Sequence, residues 1–491
     1  MMRLAKGSWI ATLFSVLALG ALASGAQDLV ILNGRVMDPE SGLDGIRHVV
    51  IVDGKIAALL TEPPATTGLP ETGPSIDATG LVVAPGFVDL HAHGQDPESN
   101  RFQAADGVTT ALELEIGVYP VGAWYASREG TAILNYGATA SHPVARYAAI
   151  EGVDDSDVTS LASGAFGGES ARRAASDAEI DRTLELLEEG LRDGALGLGF
   201  GITYTPGASH EEIFRAFGLG AKLEAPIFVH MRAADRMGGD RLAPIQEVIA
   251  NAAATGAALH IVHLNSSTDE SARPALALIR AAREHGVDVT TESYPYTAGS
   301  TLIQSALFDD FQGDYADLQW AASGDRLTLE TFLEYRRLGG MVIIHGRSET
   351  TNQWLVQQPD VIVASDGISF ASGPAHPRGA GCYAKVLGYY VRERGALDLM
   401  TALRKMTLLP AQRLEAIAPQ MKDKGRVRVG ADADLTLFDP ETVRDRATYT
   451  DSMQTSEGIR FVLVGGELVV RDGELVDGVA PGRPVRGRLL R

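Results

Sequence analysis

Two histidines separated by one residue end the apolar segment LVVAPGFVDLHAH, which covers residues 81–93. In a β-strand, residues i and i+2 point to the same face, so His91 and His93 would present two imidazoles side by side. Imidazole nitrogens are ligands that suit zinc and similar divalent metals. Two hydrogen-bonded histidines that leave a strand are the alternative interpretation. Together with the residues described next, this spacing favours a metal site.

Further ligand-type residues stand at the ends of other apolar runs. His230 ends the run APIFVHM, His263 ends ALHIVHL, and Asp366 follows VIVAS. In TTALELEIG, Glu113 and Glu115 alternate with leucines and therefore share one face of a strand. Burying two carboxylates is costly unless they meet cations, so both are candidate metal ligands. Glu115 is the preferred candidate because it lies nearer the end of the strand, and Glu113 is the second.

A second group of residues suits an anion. The segment SYPYTAGST supplies Tyr294 and Ser300, and the segment HPRGAG supplies Arg378. The planar guanidinium of arginine matches the two oxygens of a carboxylate. Arg232, two residues after His230, could do the same, although a surface arginine is the simpler interpretation there. His345 also ends an apolar run, and the sequence leaves open whether it contacts substrate or is structural.

The elements that must position these residues alternate between strands and helices through the middle of the chain. Apolar strands are separated by amphipathic helices such as DAEIDRTLELLEEGLRDG and SARPALALIRAAREHG. This alternation predicts an α/β fold with a parallel sheet that closes into a (β/α)8 barrel, whose active site lies at the carboxyl ends of the strands. An open, doubly wound sheet is the alternative, but no glycine-rich phosphate loop follows any of the strands recognised.

Both ends of the chain have a different pattern, with short alternating strands and the hairpin signals Asn33-Gly34 and Asp53-Gly54. They predict a small composite β-sandwich that is built from the two ends. The expected organisation is a signal peptide over residues 1–26, the first part of the sandwich over 27–84, the barrel over 85–424, and the second part of the sandwich over 425–491.

The signal peptide is inferred from a basic start, an apolar stretch over residues 7–22, and a small-x-small cleavage pattern at Ala21-Leu22-Ala23. It predicts an exported protein, periplasmic or secreted, that keeps no stable membrane association after cleavage. An uncleaved membrane anchor is the alternative. Cys382 is the only cysteine, so an intrachain disulfide is impossible, and we expect no catalytic role for it.

The charge balance excludes one class of partner. The 491 residues carry a formal net charge of -20, which repels phosphate backbones and anionic lipid. We therefore expect no nucleic-acid partner and a small molecule as the substrate. The sequence does not indicate an oligomeric state.

In the order of its motifs, the chain resembles the amidohydrolase superfamily and, within it, the D-aminoacylase (N-acyl-D-amino-acid deacylase) group. The matching motifs run in order through most of the chain: DLVILNGRVMDPESG, APGFVDLHAH, DGVTT, GALGLGFGITYTPG, YPYTAGST, SDG, HPRGAG and GADADLTLFDP. The resemblance implies a barrel with a composite sandwich. It also implies zinc, as one or two ions, and hydrolysis of an N-acyl-D-amino acid to a carboxylate and a free D-amino acid.

The resemblance also implies roles for single residues. His91 and His93 would form one metal position, and His230 and His263 the other. Asp366 matches the catalytic aspartate, while Tyr294, Ser300 and Arg378 match the residues that bind the substrate α-carboxylate. In the implied mechanism, Asp366 takes a proton from water whose pKa the metal lowers and then returns it to the leaving nitrogen.

The chain departs from the family pattern at two places. The family's metal-binding cysteine falls on Ile116 here, so Glu115 or Glu113 must replace it. A lysine that the family often carries falls on Asn265, so a cationic contact to the substrate becomes an amide. At these two positions, the chain is similar to the family members that act on N-acyl-D-glutamate. The fourth strand, GALGLGFGIT, contains no lysine for the carboxylated-lysine bridge of many two-metal barrel hydrolases.

Two other functions stay open at this point. One is a different C–N hydrolase on the same scaffold, such as a dipeptidase or a cyclic-amide hydrolase. The other is a non-catalytic periplasmic protein that binds a metal or a ligand. Asp366 discriminates between an enzyme and such a binding protein, because pure binding needs no base beside the metal.

Overall fold

The computed structural model describes residues 28–64, 73–152, 164–234 and 239–490. The predicted signal peptide, residues 1–26, lies outside these described residues. The described strands are, in chain order, β1 (Leu29–Asp38), β2 (Leu43–Val52), β3 (Lys55–Leu60), β4 (Ser75–Asp77), β5 (Val82–Pro85), β6 (Phe87–Asp89), β7 (Val108–Val118), β8 (Asn135–Ser141), β9 (Leu198–Gly201), β10 (Ile227–His230), β11 (Leu259–Ile261), β12 (Val289–Ser293), β13 (Gly299–Leu302), β14 (Leu318–Trp320), β15 (Met341–Ile344), β16 (Val361–Val363), β17 (Leu435–Phe438), β18 (Ile459–Val464), β19 (Glu467–Arg471) and β20 (Glu474–Leu475).

Helices lie between most of the central strands. The α-helices are α1 (Pro97–Ala105), α2 (Val121–Ala126), α3 (His142–Glu151), α4 (Glu169–Arg172), α5 (Asp177–Arg192), α6 (His210–Lys222), α7 (Ala243–Thr255), α8 (Leu264–Thr268), α9 (Ala272–Glu284), α10 (Leu329–Leu338), α11 (Glu349–Gln357), α12 (Arg378–Lys385), α13 (Leu399–Met406) and α14 (Leu408–Leu414). Residues Val386–Glu393 continue α12 as a π-helix. In the described part of the chain, no helix is long and apolar enough to cross a membrane.

Eight parallel strands form the predicted barrel, in the order β6-β7-β8-β9-β10-β11-β12-β16. The two helices that the sequence singled out are present as α5 and α9. α5 begins with a capping box, in which the Ser176 hydroxyl accepts from the Glu179 backbone and the Glu179 carboxylate accepts from the Ser176 backbone. Its apolar side, which includes Leu187 and Leu191, is buried in the core that surrounds the barrel. The predicted barrel fold is confirmed.

The first and last barrel strands are tied together just beyond their carboxyl ends. The buried carboxylate of Asp89, at the end of β6, accepts hydrogen bonds from the Ser365 backbone N–H at 3.0 Å and from the Ser365 hydroxyl. The backbone N–H of His93 donates to the Gly367 carbonyl at 2.8 Å, and that of Gly367 donates to the His91 carbonyl at 3.3 Å. The segments that carry His91, His93 and Asp366 are therefore held side by side.

The two ends of the chain meet in one mixed sheet of nine strands. Its path is β20-β19-β18-β17-β5-β1-β2-β3, and β4 pairs with β1. Gly86 separates β5, in this sheet, from β6, in the barrel. A Cβ atom at Gly86 would lie 2.2 Å from the Thr109 side chain, so only glycine fits where the chain passes between the two sheets.

A three-stranded sheet, in the order β13-β15-β14, is inserted between the last two barrel strands. His345 follows β15 directly, so the apolar run before it belongs to this antiparallel insertion and not to the barrel. The Nε2 atom of His345 lies 2.7 Å from Oε1 of Gln319, and burial lowers the pKa of the His345 imidazole to about 4. These contacts give His345 a structural place beside β14.

The contact between Asp89 and Ser365 gives a stability prediction. Oδ1 of Asp89 accepts from the backbone N–H groups of Ser365 and His91, and Oδ2 accepts from the Ser365 hydroxyl; replacing Asp89→Asn turns one of these two acceptors into an NH2 donor. The expected cost is about 2–3 kcal/mol in the free energy of unfolding, measured by urea denaturation. The matched control, Asp77→Asn, changes an exposed aspartate that also accepts several hydrogen bonds. A loss no larger than that of the control would contradict the role of Asp89.

Candidate metal centre and substrate cavity

Glu115 lies at the centre of the ligand-type residues that the sequence singled out. Its Oε2 atom lies 3.1 Å from the Nε2 atoms of both His91 and His93. Its Oε1 atom lies 2.7 Å from Nδ1 of His230 and 3.0 Å from Nε2 of His263. One buried carboxylate of β7 therefore presents one oxygen to each pair of histidines.

The ligand atoms form two groups that share Glu115. The first contains His91, His93, Glu115 and Asp366, and the second contains Glu115, His230 and His263. In the first group, Oδ1 of Asp366 lies 3.3 Å from Nε2 of His91 and 3.4 Å from Nε2 of His93. Three or four nitrogen and oxygen ligands that converge on one point match the donor sets of divalent metals such as zinc.

The hydrogen bonds behind these histidines test whether the groups fit a cation. Nδ1 of His91 lies 2.6 Å from Glu292, and Nδ1 of His93 lies 2.8 Å from Glu113. Each carboxylate fixes a proton on Nδ1, so a neutral ring turns the lone pair of its Nε2 atom inward. The two Nε2 atoms are 3.1 Å apart, and lone pairs that face each other at this distance repel unless a positive charge lies between them. The residues fit a metal ion at this position.

The electrostatics of the centre also favour positive charge. Burial alone would lower the pKa of the His91 imidazole, but the carboxylates of Asp366, Glu115 and Glu292 raise it well above its ordinary value. Burial raises the pKa of the Glu115 carboxyl, but the imidazoles of His91 and His230 bring it well below its ordinary value. The cluster therefore holds ionised carboxylates, whose charge is balanced by protons or by metal ions.

Two of these residues have backbone conformations that favour glycine. His263 has a φ of 28°, and Asp366 has a φ of 53°. Non-glycine residues rarely adopt positive φ angles, and such strain collects at functional sites. In both cases the chain is leaving a barrel strand, and the conformation places the side chain at the centre.

The two glutamates of β7 have different places, which the sequence left open. Glu115 lies among the four histidines, whereas Glu113 lies behind His93 and contacts its Nδ1 atom. Glu292 was missed by the sequence analysis. It is buried on β12 and contacts Nδ1 of His91 and Nε2 of His260. The only sequence feature that indicates a role for Glu292 is its position one residue before the end of β12. The polar residues of the surrounding segment TTES make that end of the strand difficult to recognise.

A cavity of about 450 Å³ opens over the centre, which is a size suited to a small-molecule ligand. Its wall includes His93, Glu115, His230, His263, Ser300, Asp366 and Arg378, together with the apolar side chains Phe166, Met231, Leu302, Leu307, Met341 and Ile344. The cavity thus joins a charged floor to an apolar wall.

Arg378 links this cavity to Asp366. Nη1 of Arg378 lies 2.8 Å from Oδ2 of Asp366, and the guanidinium stacks 4.6 Å from the centre of the Tyr294 ring. Burial raises the pKa of the Asp366 carboxyl, but Arg378 and His91 bring it below its ordinary value, so it is ionised. The Nε atom of Arg378 forms no hydrogen bond with the described residues, which leaves one N–H group for a ligand carboxylate.

The start of α12 is held by His376. Its Nδ1 atom accepts from the backbone N–H of Arg378 at 3.1 Å, and its Nε2 atom lies 3.0 Å from the Ala298 carbonyl. Burial and the nearby guanidinium of Arg378 lower the pKa of the His376 imidazole well below its ordinary value. A neutral His376 therefore positions Arg378.

The remaining predicted substrate contacts divide into two kinds. Ser300 lies in the cavity wall, and its hydroxyl donates to the Val342 carbonyl. Arg232 lies in the wall as well, but its guanidinium is already paired with both oxygens of Glu247, at 3.1 Å each.

Tyr294 and Asn265 are buried and lie outside that wall. Asn265 donates to the Tyr294 carbonyl at 3.0 Å and to the Asn352 side chain at 3.1 Å. These contacts place Asn265 behind the cavity, where it supports Tyr294. The aromatic ring of Tyr294 in turn supports the guanidinium of Arg378.

Comparison with known proteins connects this geometry to a family. The model of the Amidohydrolase family matches residues 82–469. An N-acyl-D-glutamate deacylase of Alcaligenes xylosoxydans xylosoxydans is 31% identical over 94% of this chain and 96% of its own length. A D-aminoacylase of the same organism is 28% identical over 89% of this chain and 93% of its own length.

A solved structure is similar over the same extent. It is an N-acyl-D-glutamate deacylase of Bordetella bronchiseptica in complex with zinc and a phosphonate inhibitor, a mimic of the tetrahedral intermediate of its reaction. The TM-score is 0.77 at 26% sequence identity, over 94% of this chain and 100% of that chain.

The shared position of Glu115 gives a prediction about metal content. Replacing Glu115→Gln leaves one oxygen and one NH2 group, so the side chain cannot offer an oxygen to each group. We expect the wild type to retain two zinc ions per chain after dialysis and the variant at most one, as measured by elemental analysis. Glu98→Gln, an exposed change at the start of α1, is the control that keeps both. Two zinc ions bound to E115Q with wild-type affinity would contradict the shared-ligand geometry.

Proposed function

The chain belongs to the amidohydrolase family, and we propose that it hydrolyses N-acyl-D-amino acids, including N-acyl-D-glutamate, to a carboxylate and a free D-amino acid. The bond that breaks is a C–N amide bond outside a peptide chain. Divalent metal, zinc in the first instance, is the cofactor. The names of the relatives and the donor set of the centre both support this proposal.

The observation that carries the proposal is the position of Asp366 between the metal ligands and Arg378. One oxygen of Asp366 faces the Nε2 atoms of His91 and His93, and the other faces the guanidinium of Arg378. A protein that only binds metal needs no carboxylate between its ligands and an arginine that opens to a cavity. An enzyme needs a proton acceptor, here Asp366, close to a group that binds the substrate, here Arg378.

The residues divide the reaction between them. A bound divalent ion polarises a carbonyl group and lowers the pKa of water. Asp366, ionised before the reaction, accepts a proton from the attacking water and then donates it to the nitrogen of the breaking amide bond. Arg378 binds the α-carboxylate of the substrate and so fixes the orientation of the amide toward Asp366. The apolar wall of the cavity accommodates the acyl group and excludes water.

The Glu115 carboxylate, which faces both ligand groups, distinguishes this chain from the hydrolases that use a carboxylated lysine between two metal ions. The described residues of β9 are LGFG and contain no lysine, whereas Glu115 supplies an oxygen to each ligand group. The unpaired Nε–H group of Arg378 suits the open-chain carboxylate of an acyl amino acid.

The test is the release of free amino acid from a panel of N-acetyl-D- and N-acetyl-L-amino acids. Zinc-loaded protein should release amino acid from D-substrates, and the chelated protein should not. Release from L-substrates or dipeptides only would contradict the proposed substrate class, and no release from any of them would contradict the proposed enzyme.

Replacing Asp366→Asn removes the proton acceptor and leaves the remaining ligands of both groups. We expect kcat to fall by about 10²–10⁴-fold, the usual contribution of general acid–base catalysis, while the protein still binds zinc. Zinc content and kcat are measured on the same sample. A variant that retains zinc and wild-type kcat would contradict the role of Asp366.

The guanidinium of Arg347 supports the glutamate branch of the proposal. Arg347 lies in the cavity wall beside Gly299, and no carboxylate of the described residues forms an ion pair with it. Its Nη1 donates to the Ile344 carbonyl, and its Nε atom has no hydrogen-bond partner there. An unbalanced positive charge in the cavity favours a substrate with a second carboxylate.

Replacing Arg347→Met tests this preference. For N-acetyl-D-glutamate, kcat/KM should fall by about 10- to 100-fold, because a hydrogen-bonded charge contact contributes about 1.5–3 kcal/mol. For N-acetyl-D-methionine it should change by less than about threefold, since no charge is lost to that side chain. Arg337→Met, on the exposed side of α10, is the control. Equal losses on both substrates would contradict a side-chain contact.

Export is a separate part of the proposal. The pattern of residues 1–26 supports a cleaved signal peptide and a periplasmic or secreted enzyme. The test is amino-terminal sequencing of the protein recovered from the periplasm and the medium of producing cells. Protein that stays in the cytoplasm with its first residues intact would contradict export.

A further inference from the structure

Glu292 is a buried carboxylate whose two oxygens are both engaged close to the metal centre. Oε1 lies 2.6 Å from Nδ1 of His91 and accepts from the backbone N–H of His263 at 3.4 Å. Oε2 lies 3.0 Å from Nε2 of His260. His91 belongs to the first ligand group and His263 to the second, so one oxygen atom contacts a ligand residue of each.

We propose that Glu292 is a positioning residue that holds His91 and His263 in their metal-binding geometry and thereby supports both metal positions at once. This inference rests on the metal centre of the proposed function. The fold assigns Glu292 this place because β12 lies beside β11, whose end carries His263, and because only β16 separates β12 from β6, which precedes His91, where the barrel closes.

The contact with His91 determines which nitrogen faces the metal. A carboxylate that accepts from Nδ1–H directs the lone pair of Nε2 toward the ligand group and makes that nitrogen a better donor. Without it, the ring is free to rotate or to adopt the other tautomer, and Nε2 then presents a proton to the centre.

The contact with His263 stabilises a strained backbone. His263 has φ 28° and ψ 61°, where the chain leaves β11 and enters α8. Such a conformation persists only when its surroundings hold it in place. The N–H of His263 donates to Glu292, and this bond helps to fix the residue whose Nε2 atom lies 3.0 Å from Glu115.

Glu292 is itself held from the other side. Nδ1 of His260 lies 2.8 Å from the Thr290 hydroxyl, and its ring packs 5.2 Å from that of Phe228. His260 therefore donates from Nε2 to Glu292 and accepts from Thr290 at Nδ1. This chain of contacts fixes the imidazole of His260 and, through it, the second oxygen of Glu292.

Glu113 supplies a matched comparison because it makes the same kind of contact to one position only. Its carboxylate lies 2.8 Å from Nδ1 of His93 and 3.4 Å from the backbone nitrogen of Gly117. Among the described residues, it forms no hydrogen bond or ion pair with a member of the second ligand group. If the loss of a buried charge were all that mattered, Glu292→Gln and Glu113→Gln would lower zinc affinity in the same way. If Glu292 positions ligands of both groups, only Glu292→Gln lowers the affinity of both sites.

The experiment compares zinc affinities of the wild type, Glu292→Gln and Glu113→Gln by competition with a chelating dye. We expect Glu292→Gln to weaken both zinc sites by about 10- to 100-fold, the usual effect of losing an outer partner of a ligand. Glu113→Gln should weaken one site and leave the other unchanged. The absorption spectrum of the cobalt-loaded protein, which reports ligand geometry, should change at both sites in E292Q.

Wild-type affinity at either site in E292Q would overturn the inference, as would a loss at both sites in E113Q. If E292Q does not fold, His260→Gln tests the same network, because it frees one oxygen of Glu292, and both sites should again weaken together. A wild type that binds two zinc ions but releases no amino acid would contradict the proposed function and leave the role of Glu292 intact. A wild type that binds no zinc would overturn both.

Discussion

Imidazole nitrogens and carboxylates that face one another at the largely buried floor of a cavity are the constraint on which this structure depends. The rings of His91 and His93 are each fixed from behind by a carboxylate, so their inward lone pairs meet at a distance that only a positive charge can stabilise. Because Glu115 also faces His230 and His263, the same requirement for positive charge applies to the second ligand group. Metal-free protein meets it with protons, and metal ions displace those protons on binding.

The rest of the fold serves to bring these groups together. Parallel strands deliver their carboxyl ends to one rim of the barrel, and the six ligands lie on or just after five of these strands. The contacts of Asp89 with Ser365 close the rim where the segments of His91 and Asp366 meet. Backbone strain at His263 and Asp366 is the cost of turning both side chains inward, and buried hydrogen bonds and ion pairs offset it.

Much of this arrangement could be predicted from the sequence, because strand parity and strand ends are local properties. The two-residue spacing of His91 and His93, and that of Glu113 and Glu115, placed each pair on one face of a strand. Contacts between distant strands could not be predicted in this way: Glu292 was missed, and Arg232 is engaged by Glu247 from a separate helix. The third barrel strand, β8, was also missed, because its sequence NYGATAS is small and polar although every residue in it is buried.

Anomalous diffraction from crystals of the zinc-loaded protein tests most directly the claim that Glu115 joins two metal positions. Data collected above the zinc absorption edge should show two peaks. One should lie among His91, His93, Asp366 and Oε2 of Glu115. The other should lie among His230, His263 and Oε1 of Glu115. A single peak, or a Glu115 carboxylate that is turned away from either peak, would contradict the claim.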